Sequence, residues 1–213
     1  MKASVQLVQF AKWPREGWVK TRLEPALGRQ GALKAHIQLT TTVLEQLQAS
    51  GHPLVLAWDE DLEAAPPEAG PVQAVMEKYR VPSTIQQGGD LGERMTHALS
   101  EGLRSAGSAM VIGSDCPSVD AGYIEQARQA LDRADVVFGP SDDGGYVLVG
   151  ARRIRLGMLA GVAWGTDQAL EQSMAAVQRA GLSVATLEPR WDVDEPADWD
   201  RFIAMTGQSS TGA

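Results

Sequence analysis

The stretch SAMVIGSDCP, Ser108 to Pro117, decides the fold. Ala109-Met110-Val111-Ile112 contains no polar residue, and the run stops at Gly113-Ser114-Asp115. A strand with one wet face alternates; an unbroken run suits a strand buried on both faces, as in a parallel sheet. Its neighbours agree. Before it, DLGERMTHALSEGLRSAG (90–107) reads as a helix with Asp90 as N-cap and Glu93 at the capping-box position. After it, SVDAGYIEQARQALDRA (118–134) carries Ile124, Ala127 and Leu131 at i, i+3, i+7. A doubly buried strand between two helices is the unit of an α/β sheet with right-handed crossovers.

Working outward, the alternation persists. SVQLVQFA (4–11) and PLVLAW (53–58) read as strands around GALKAHIQLTTTVLEQLQASG (31–51), which has Leu33, Ile37, Thr40/Thr41 and Leu44/Leu47 at helical spacing and Gly51 as a C-terminal cap. EAAPPEAGP (63–71) is a surface loop, VQAVMEKYR (72–80) a short helix and STIQQ (83–87) a short strand. DVVFGP and GYVLVGA are two strands separated by SDDG. TDQALEQSMAAVQRAG is a helix capped by Thr166, SVATLEP a strand and EPADWDRFIAMTG a last helix. One domain over 1–207 is expected, with QSSTGA (208–213) as a disordered tail.

Composition narrows the function. The chain has 213 residues, 44% of them hydrophobic, and a net charge of −8. That charge argues against general nucleic-acid binding, which rests on phosphate neutralisation. Cys116 is the only cysteine, so no internal disulfide forms, as suits a reducing compartment. It reads as a small buried residue rather than a nucleophile. There is no secretory leader pattern and no membrane-spanning run, so a soluble cytoplasmic protein is expected. His36, His52 and His97 lack metal-ligand spacing and read as structural or surface residues.

In parallel sheets ligands bind beyond the carboxyl ends of the strands, and that is where the polar features fall. KWPREGWVKTR follows the first strand, with Lys12, Arg15, Lys20 and Arg22 against Glu16, net +3 in an acidic chain. Asp59-Glu60-Asp61 follows the second strand. Asp115 follows the buried strand, Asp142-Asp143-Gly144-Gly145 follows VVFGP, and Asp192 and Asp194 follow the late strand. Cations beside carboxylates suit a phosphate ligand held partly through a divalent metal; Mg²⁺ takes one or two protein carboxylates plus phosphate and water. Each feature also has a plain structural use. Trp13 and Trp18 serve either as covers for a sugar or base or as packing anchors. Asp115, Asp192 and Asp194 could cap turns or helices, and the Asp-Gly pair could simply turn a hairpin. No P-loop, no G-x-G-x-x-G after a strand and no G-x-S-x-G elbow is present, so phosphate capture falls to side chains.

Six ordered motifs, FAKWPREGWVKTRLEPALG, GGDLGERM, VIGSDCPSV, GPSDDGGYVLVG, AWGTD and WDVDEPADW, resemble a bacterial family of predicted glycosyltransferases in the nucleotide-diphospho-sugar transferase (GT-A-like) superfamily. Its members often carry names such as selenodomain-associated or arsenosugar-biosynthesis transferase. The resemblance spans roughly Val5 to Phe202 and implies a Rossmann-like α/β/α sandwich with a mostly parallel, mixed sheet. It implies that Lys20 and Arg22, with Lys12 nearby, meet nucleotide phosphates. It implies that Asp115 binds Mg²⁺ or Mn²⁺, and that Asp192 or Asp194 completes the metal site, as in the related phospholactate guanylyltransferases. Gly144 and Gly145 would let backbone approach the substrate, and Asp142 or Asp143 would orient the acceptor or act as base. Two departures stand out: the first loop lacks G-x-G-x-R, and SDCP replaces D-x-D. The expected activity is metal-dependent glycosyl transfer from a nucleotide sugar to a small acceptor. Nucleotidyl transfer from a nucleoside triphosphate is the alternative, and a non-catalytic nucleotide-binding module is the third.

Overall fold

Ser108–Gly113 forms the doubly buried strand expected of it, β4, with Ala109, Met110, Val111 and Ile112 each at most 4% exposed. In the computed structural model, which describes residues 4–207, seven strands form one sheet. They are β1 (Val5–Ala11), β2 (Leu54–Trp58), β3 (Ser83–Ile85), β4, β5 (Val136–Pro140), β6 (Tyr146–Ala151) and β7 (Val184–Thr186), in the order β3-β2-β1-β4-β6-β5-β7. The expected tail, 208–213, lies outside the described residues.

Six helices cover the sheet on both faces: α1 (Glu24–Ala49), α2 (Gly70–Tyr79), α3 (Leu91–Gly102), α4 (Ala121–Ala130), α5 (Ala169–Arg179) and α6 (Pro196–Thr206). Val43, Leu44 and Leu47 of α1, Val72 of α2 and Ile124 of α4 pack on Leu7, Leu56, Met110 and Ile112. On the opposite face Met95 and Leu99 of α3 and Val177 of α5 meet Val8, Val111 and Val149. The alternation Leu7/Val8 and Met110/Val111 is the period-two pattern of a strand dividing its side chains between two cores. Burying a side chain of this size contributes about 1.5–3 kcal/mol. α6 docks on α1 through Phe202, Leu39 and Ala35. The architecture is the α/β/α sandwich implied by the sequence.

One helix start agrees with expectation and two helix caps differ from it. The α1 backbone breaks at Gly28 (φ 69, ψ 169), so its regular part begins near the Gly31 expected from sequence. α5 begins at Ala169 with Gln168 at its cap position, not Thr166; the Thr166 hydroxyl instead donates to the Ala163 carbonyl at 2.8 Å. Asp192 and Asp194 do not cap α6 either, because Glu195 and Asp198 form that capping box.

The topology fixes where a ligand can sit. β1 pairs in parallel with both β2 and β4, and the chain winds away from this centre in opposite directions. The β1/β4 boundary is therefore the switch point, where the flanking connections diverge and open a crevice. β6 is antiparallel to β4 and β5, so its amino end, with the 141–145 turn, lies at the same edge as the carboxyl ends of the other strands.

Candidate functional site

The first loop is pinned before it reaches the crevice. Trp13 is 8% exposed and stacks on Trp58 at the end of β2, ring centroids 3.9 Å apart and planes 9° from parallel. Its backbone N–H donates to Asp59 Oδ1 at 2.9 Å, and its indole N–H donates to the Glu60 carbonyl at 2.9 Å. Arg15 pairs with the Glu60 carboxylate. Trp18 is 71% exposed and lines the crevice. The two tryptophans thus differ in role: Trp13 is a buried anchor, and Trp18 is an exposed ring with the Arg15 guanidinium 5.0 Å over its centroid.

Lys20 is the centre of the arrangement. Its backbone is left-handed (φ 48, ψ 41), a conformation that costs a non-glycine residue about 1 kcal/mol or more and persists only when surrounding contacts enforce it. Those contacts are visible. The ammonium donates to Asp115 Oδ2 at 2.8 Å and to the Val193 carbonyl at 2.5 Å, and lies 3.9 Å from Asp194 Oδ1. Its side chain is 7% exposed, whereas that of Asp115 is 42% exposed toward the crevice. Burial works to lower the Lys20 pKa, but the Asp115 pair and the charges of Asp194 and Asp192 outweigh it and hold the ammonium more firmly protonated. Asp115 mirrors this: burial raises its pKa, and Lys20 overrides burial and holds it below the usual carboxylate range.

The late acids are placed by backbone. Val193 N–H donates to the Asp115 carbonyl at 2.8 Å, and Ser118 Oγ donates to the Trp191 carbonyl at 2.5 Å. The 191–194 segment is thereby laid against the loop after β4. Arg22 donates to Asp194 Oδ2 at 2.5 Å and lies 3.5 Å from Glu195. Asp192 is pushed up to about 7, first by burial and then by the like charges of Asp115 and Asp143. Cys116 is fully buried and stays a thiol, its pKa pushed up by burial and by Asp115 and Asp192.

Two joined chambers run along this edge. The first, of about 560 Å³, is lined by Lys12, Trp18, Lys20, Arg22, His36, Asp59, Arg94, Asp115 and Asp194, among others. The second, of about 400 Å³, is lined by Asp143, Gly145, Tyr146, Trp164, Thr166 and Asp167, among others. Phe10, Arg22, Leu91, Gly113 and Asp194 belong to both.

Of the residues singled out from sequence, Lys12, Lys20, Arg22, Asp115, Asp143, Gly145 and Asp194 line the chambers. Asp143 Oδ1 accepts from the Ser141 hydroxyl and from Gly145 N–H. Asp142 faces Arg201 of α6 at 3.9 Å instead. Gly144 makes its close approach to the protein itself, where an added Cβ would lie 2.2 Å from the Asp167 carbonyl oxygen. Sequence reading put Asp59 at the crevice edge, where it lines the first chamber, but did not assign His36 or Arg94 to the site. His36 donates from Nε2 to the Lys12 carbonyl at 3.0 Å, and burial with the Lys20 charge lowers its pKa. Arg94 reaches the Asp59 carbonyl at 3.2 Å from the first turn of α3, which the strand-end rule applied to β3 would have found.

Among the described residues no three His, Cys, Asp or Glu side chains converge as a ready-made metal cage. The donor set fits the looser mode of Mg²⁺, one or two carboxylates completed by phosphate oxygens and water. Asp115 and Asp194 flank the Lys20 ammonium, at 2.8 and 3.9 Å, so an ion held by both carboxylates would have to share that position with Lys20 or displace it.

Comparison with known proteins agrees with this fold. A candidate nucleotide-diphospho-sugar transferase of Desulfovibrio desulfuricans superposes with a TM-score of 0.81 at 26% identity, over 97% of this chain and 89% of that one. A nucleotidyl transferase from Methanothermobacter gives 0.63 at 16% identity, covering 95% and 97% of the two chains. A Mycobacterium tuberculosis protein solved in complex with manganese gives 0.56 at 15%, covering 95% and 98%. The last two share the fold alone. No curated protein matches in sequence. Residues 42–166 match the family described as an uncharacterized protein conserved in bacteria (DUF2064), and the chain belongs to that family.

Proposed function

We propose that this protein is a transferase that takes a nucleotide-diphosphate sugar and moves the glycosyl group to a small acceptor. Lys20 carries the reading: a buried ammonium at the switch point, held by Asp115 and Asp194 on the wall of a chamber that also presents Lys12, Arg22 and Arg94. Side-chain cations around one polar chamber suit a diphosphate. Gly17 is the only glycine between Lys12 and Arg22, so the loop offers little of the backbone wrapping that glycine-rich loops give a triphosphate. The likeness to the Desulfovibrio protein and the motif resemblance to selenodomain-associated and arsenosugar-type transferases support the glycosyl branch.

In the reaction the acceptor hydroxyl oxygen bonds to the anomeric carbon of the sugar. The bond from that carbon to the diphosphate oxygen breaks, and its electron pair leaves with the nucleoside diphosphate. The hydroxyl proton passes to a carboxylate. Lys20 and Arg22 neutralise charge growing on the leaving group, a contribution that is often the largest in catalysis. Asp143, which lines the second chamber and accepts from the Ser141 hydroxyl and Gly145 N–H, is the carboxylate to which this proposal gives that proton. Mg²⁺ or Mn²⁺ held by Asp115 with Asp192 or Asp194 would supply further neutralisation of the diphosphate.

The test is a melting panel of nucleotide sugars and nucleoside triphosphates with and without Mg²⁺ or Mn²⁺, followed by product analysis. A ligand at a hundred times its Kd adds about 2.7 kcal/mol, which for this chain length is a shift of about 5–10 °C. A shift with a nucleotide sugar, and nucleoside diphosphate released on turnover, is the expected result. Pyrophosphate released from a triphosphate would replace the reading with nucleotidyl transfer. Binding without turnover across a broad acceptor panel would leave a nucleotide-binding module.

A further inference from the structure

The second chamber differs in character from the first. Its polar liners, Arg22, Asp143, Thr166, Asp167 and Asp194, are exposed or half-exposed and so form the rim. Met95 and Val111 are at most 5% exposed and form the floor, with Phe10, Leu91, Tyr146 and Trp164 completing the walls. The aromatic wall is held in place. Trp164 meets Tyr146 edge-on, centroids 6.3 Å apart and planes at 75°. It also lies so close over α3 that a Cβ on Gly92 would come within 2.8 Å of its ring. Leu91, 42% exposed at the start of α3, leaves an aliphatic side chain open to the junction of the two chambers.

We infer that the second chamber takes an amphipathic acceptor: a flat, mostly apolar body on the floor, with the hydroxyl to be glycosylated held at the rim beside Asp143 and Asp194. This rests on glycosyl transfer as proposed above. A polyol acceptor would press hydroxyls against Met95, Val111 and Phe10, where none finds a partner, and unpaired burial of polar groups is costly. A two-ring aromatic alcohol meets the opposite situation: its ring buries apolar surface, and its single hydroxyl stays with the polar groups. A volume of about 400 Å³ is within the range of small-molecule sites. The shared residues Arg22 and Asp194 put that hydroxyl at the passage to the diphosphate chamber, where the new bond to the sugar has to form.

The experiment measures binding of 2-naphthol and of methyl glucopyranoside to the full chain by calorimetry, beside a panel of nucleoside diphosphates. The naphthol should bind at least ten-fold more tightly than the glucoside. Trp164→Ala and Leu91→Ser should each weaken naphthol binding five-fold or more while both proteins stay folded by circular dichroism, and Trp164→Ala, at a residue that lines the second chamber and not the first, should keep the nucleoside diphosphate response. Glucoside binding as tight as naphthol binding overturns the inference. So does naphthol binding that ignores both substitutions but is lost in Ala98→Glu, which lies in the separate groove over β1–β3. Absence of any nucleotide response would instead overturn the transferase reading and with it the acceptor role, whatever the naphthol does.

Discussion

Replacing Gly144 by alanine should injure the fold far more than an ordinary glycine substitution. Gly144 has φ +88, and its carbonyl accepts from Leu170 N–H at 3.0 Å, at the start of α5. An added Cβ would lie 2.2, 2.7 and 2.8 Å from the carbonyl oxygen, carbonyl carbon and Cα of Asp167. All three are backbone atoms, so no rotamer relieves the clash, and the 165–168 segment would have to retreat by about 1 Å to restore normal contact. Overpacking of this kind costs about 1–3 kcal/mol, and alanine at positive φ adds about 1 kcal/mol. The sum, about 2–4 kcal/mol, corresponds to a melting temperature lower by about 5–15 °C for a chain of this length. Gly161→Ala is the control: φ is +76 there, but nothing lies within 4 Å of the added atom, so only the backbone strain of about 1 kcal/mol remains. Scanning calorimetry of the two variants and the parent separates clash from strain. If Gly144→Ala melts within a degree or two of Gly161→Ala, the packing of the 141–145 turn on Asp167 is not as described.

Trp13→Ala should cost about 3–5 kcal/mol in urea unfolding through loss of the stack on Trp58, whereas Trp18→Ala, at an exposed position, should stay within about 0.5 kcal/mol. Asp192 is raised to about 7 against about 3.9 in the unfolded chain, so folding is favoured fully below about pH 4 and loses stability as pH rises toward 7. With a discount for partial exposure and shared charge, Asp192→Asn should gain about 1–2 kcal/mol over the parent at pH 8 in chelator and nothing at pH 4; equal gains at both pH values would contradict the charge repulsion. Asp115→Asn should lower turnover about a hundred-fold or more and, by leaving the buried Lys20 ammonium without its nearest carboxylate, should also lower the melting temperature; a fully active, metal-independent Asp115→Asn protein would rule out its assigned role.

The sheet was legible because its evidence is local: an unbroken apolar run at 109–112, helical spacing on both sides, and turn residues between. The edge of the sheet was legible for a topological reason, since strand order alone sends the first loop and the 114–116 segment to the same crevice. What could not be read depends on contacts between distant segments. Trp13 and Trp18 have the same side chain five residues apart, and only the position of Trp58 sends one inward and leaves the other outside. Asp142 and Asp143 are adjacent, yet the turn aims one at Arg201 and the other at the chamber. His36 fits the buried stripe of α1 like any core residue, and its place beneath Lys12 appears only once the loop is folded over the helix.

The charge balance of the edge explains why an acidic chain carries a basic loop there. Each of three loop cations is matched by an acid from another segment: Arg15 by Glu60, Lys20 by Asp115 and Asp194, Arg22 by Asp194 and Glu195. These pairs fasten the loop to the ends of β2 and β4 and to the segment before α6, so the cations are in position before any ligand arrives, and the cost of ordering them falls on folding rather than binding. On the proposed function, the same pairs mean that a diphosphate would compete with carboxylates for its cations, beside Asp192, whose carboxyl is raised first by burial and then by the charges of Asp115 and Asp143. Phosphate alone is therefore opposed, and a divalent ion alone meets Lys20 at the position between Asp115 and Asp194. Together they relieve each other's repulsion, and such coupling is reciprocal. Nucleoside diphosphate and Mg²⁺ added jointly should raise the melting temperature by more than the sum of their separate effects. Strictly additive shifts would mean that Lys20 and Arg22 bind the phosphates without a metal partner.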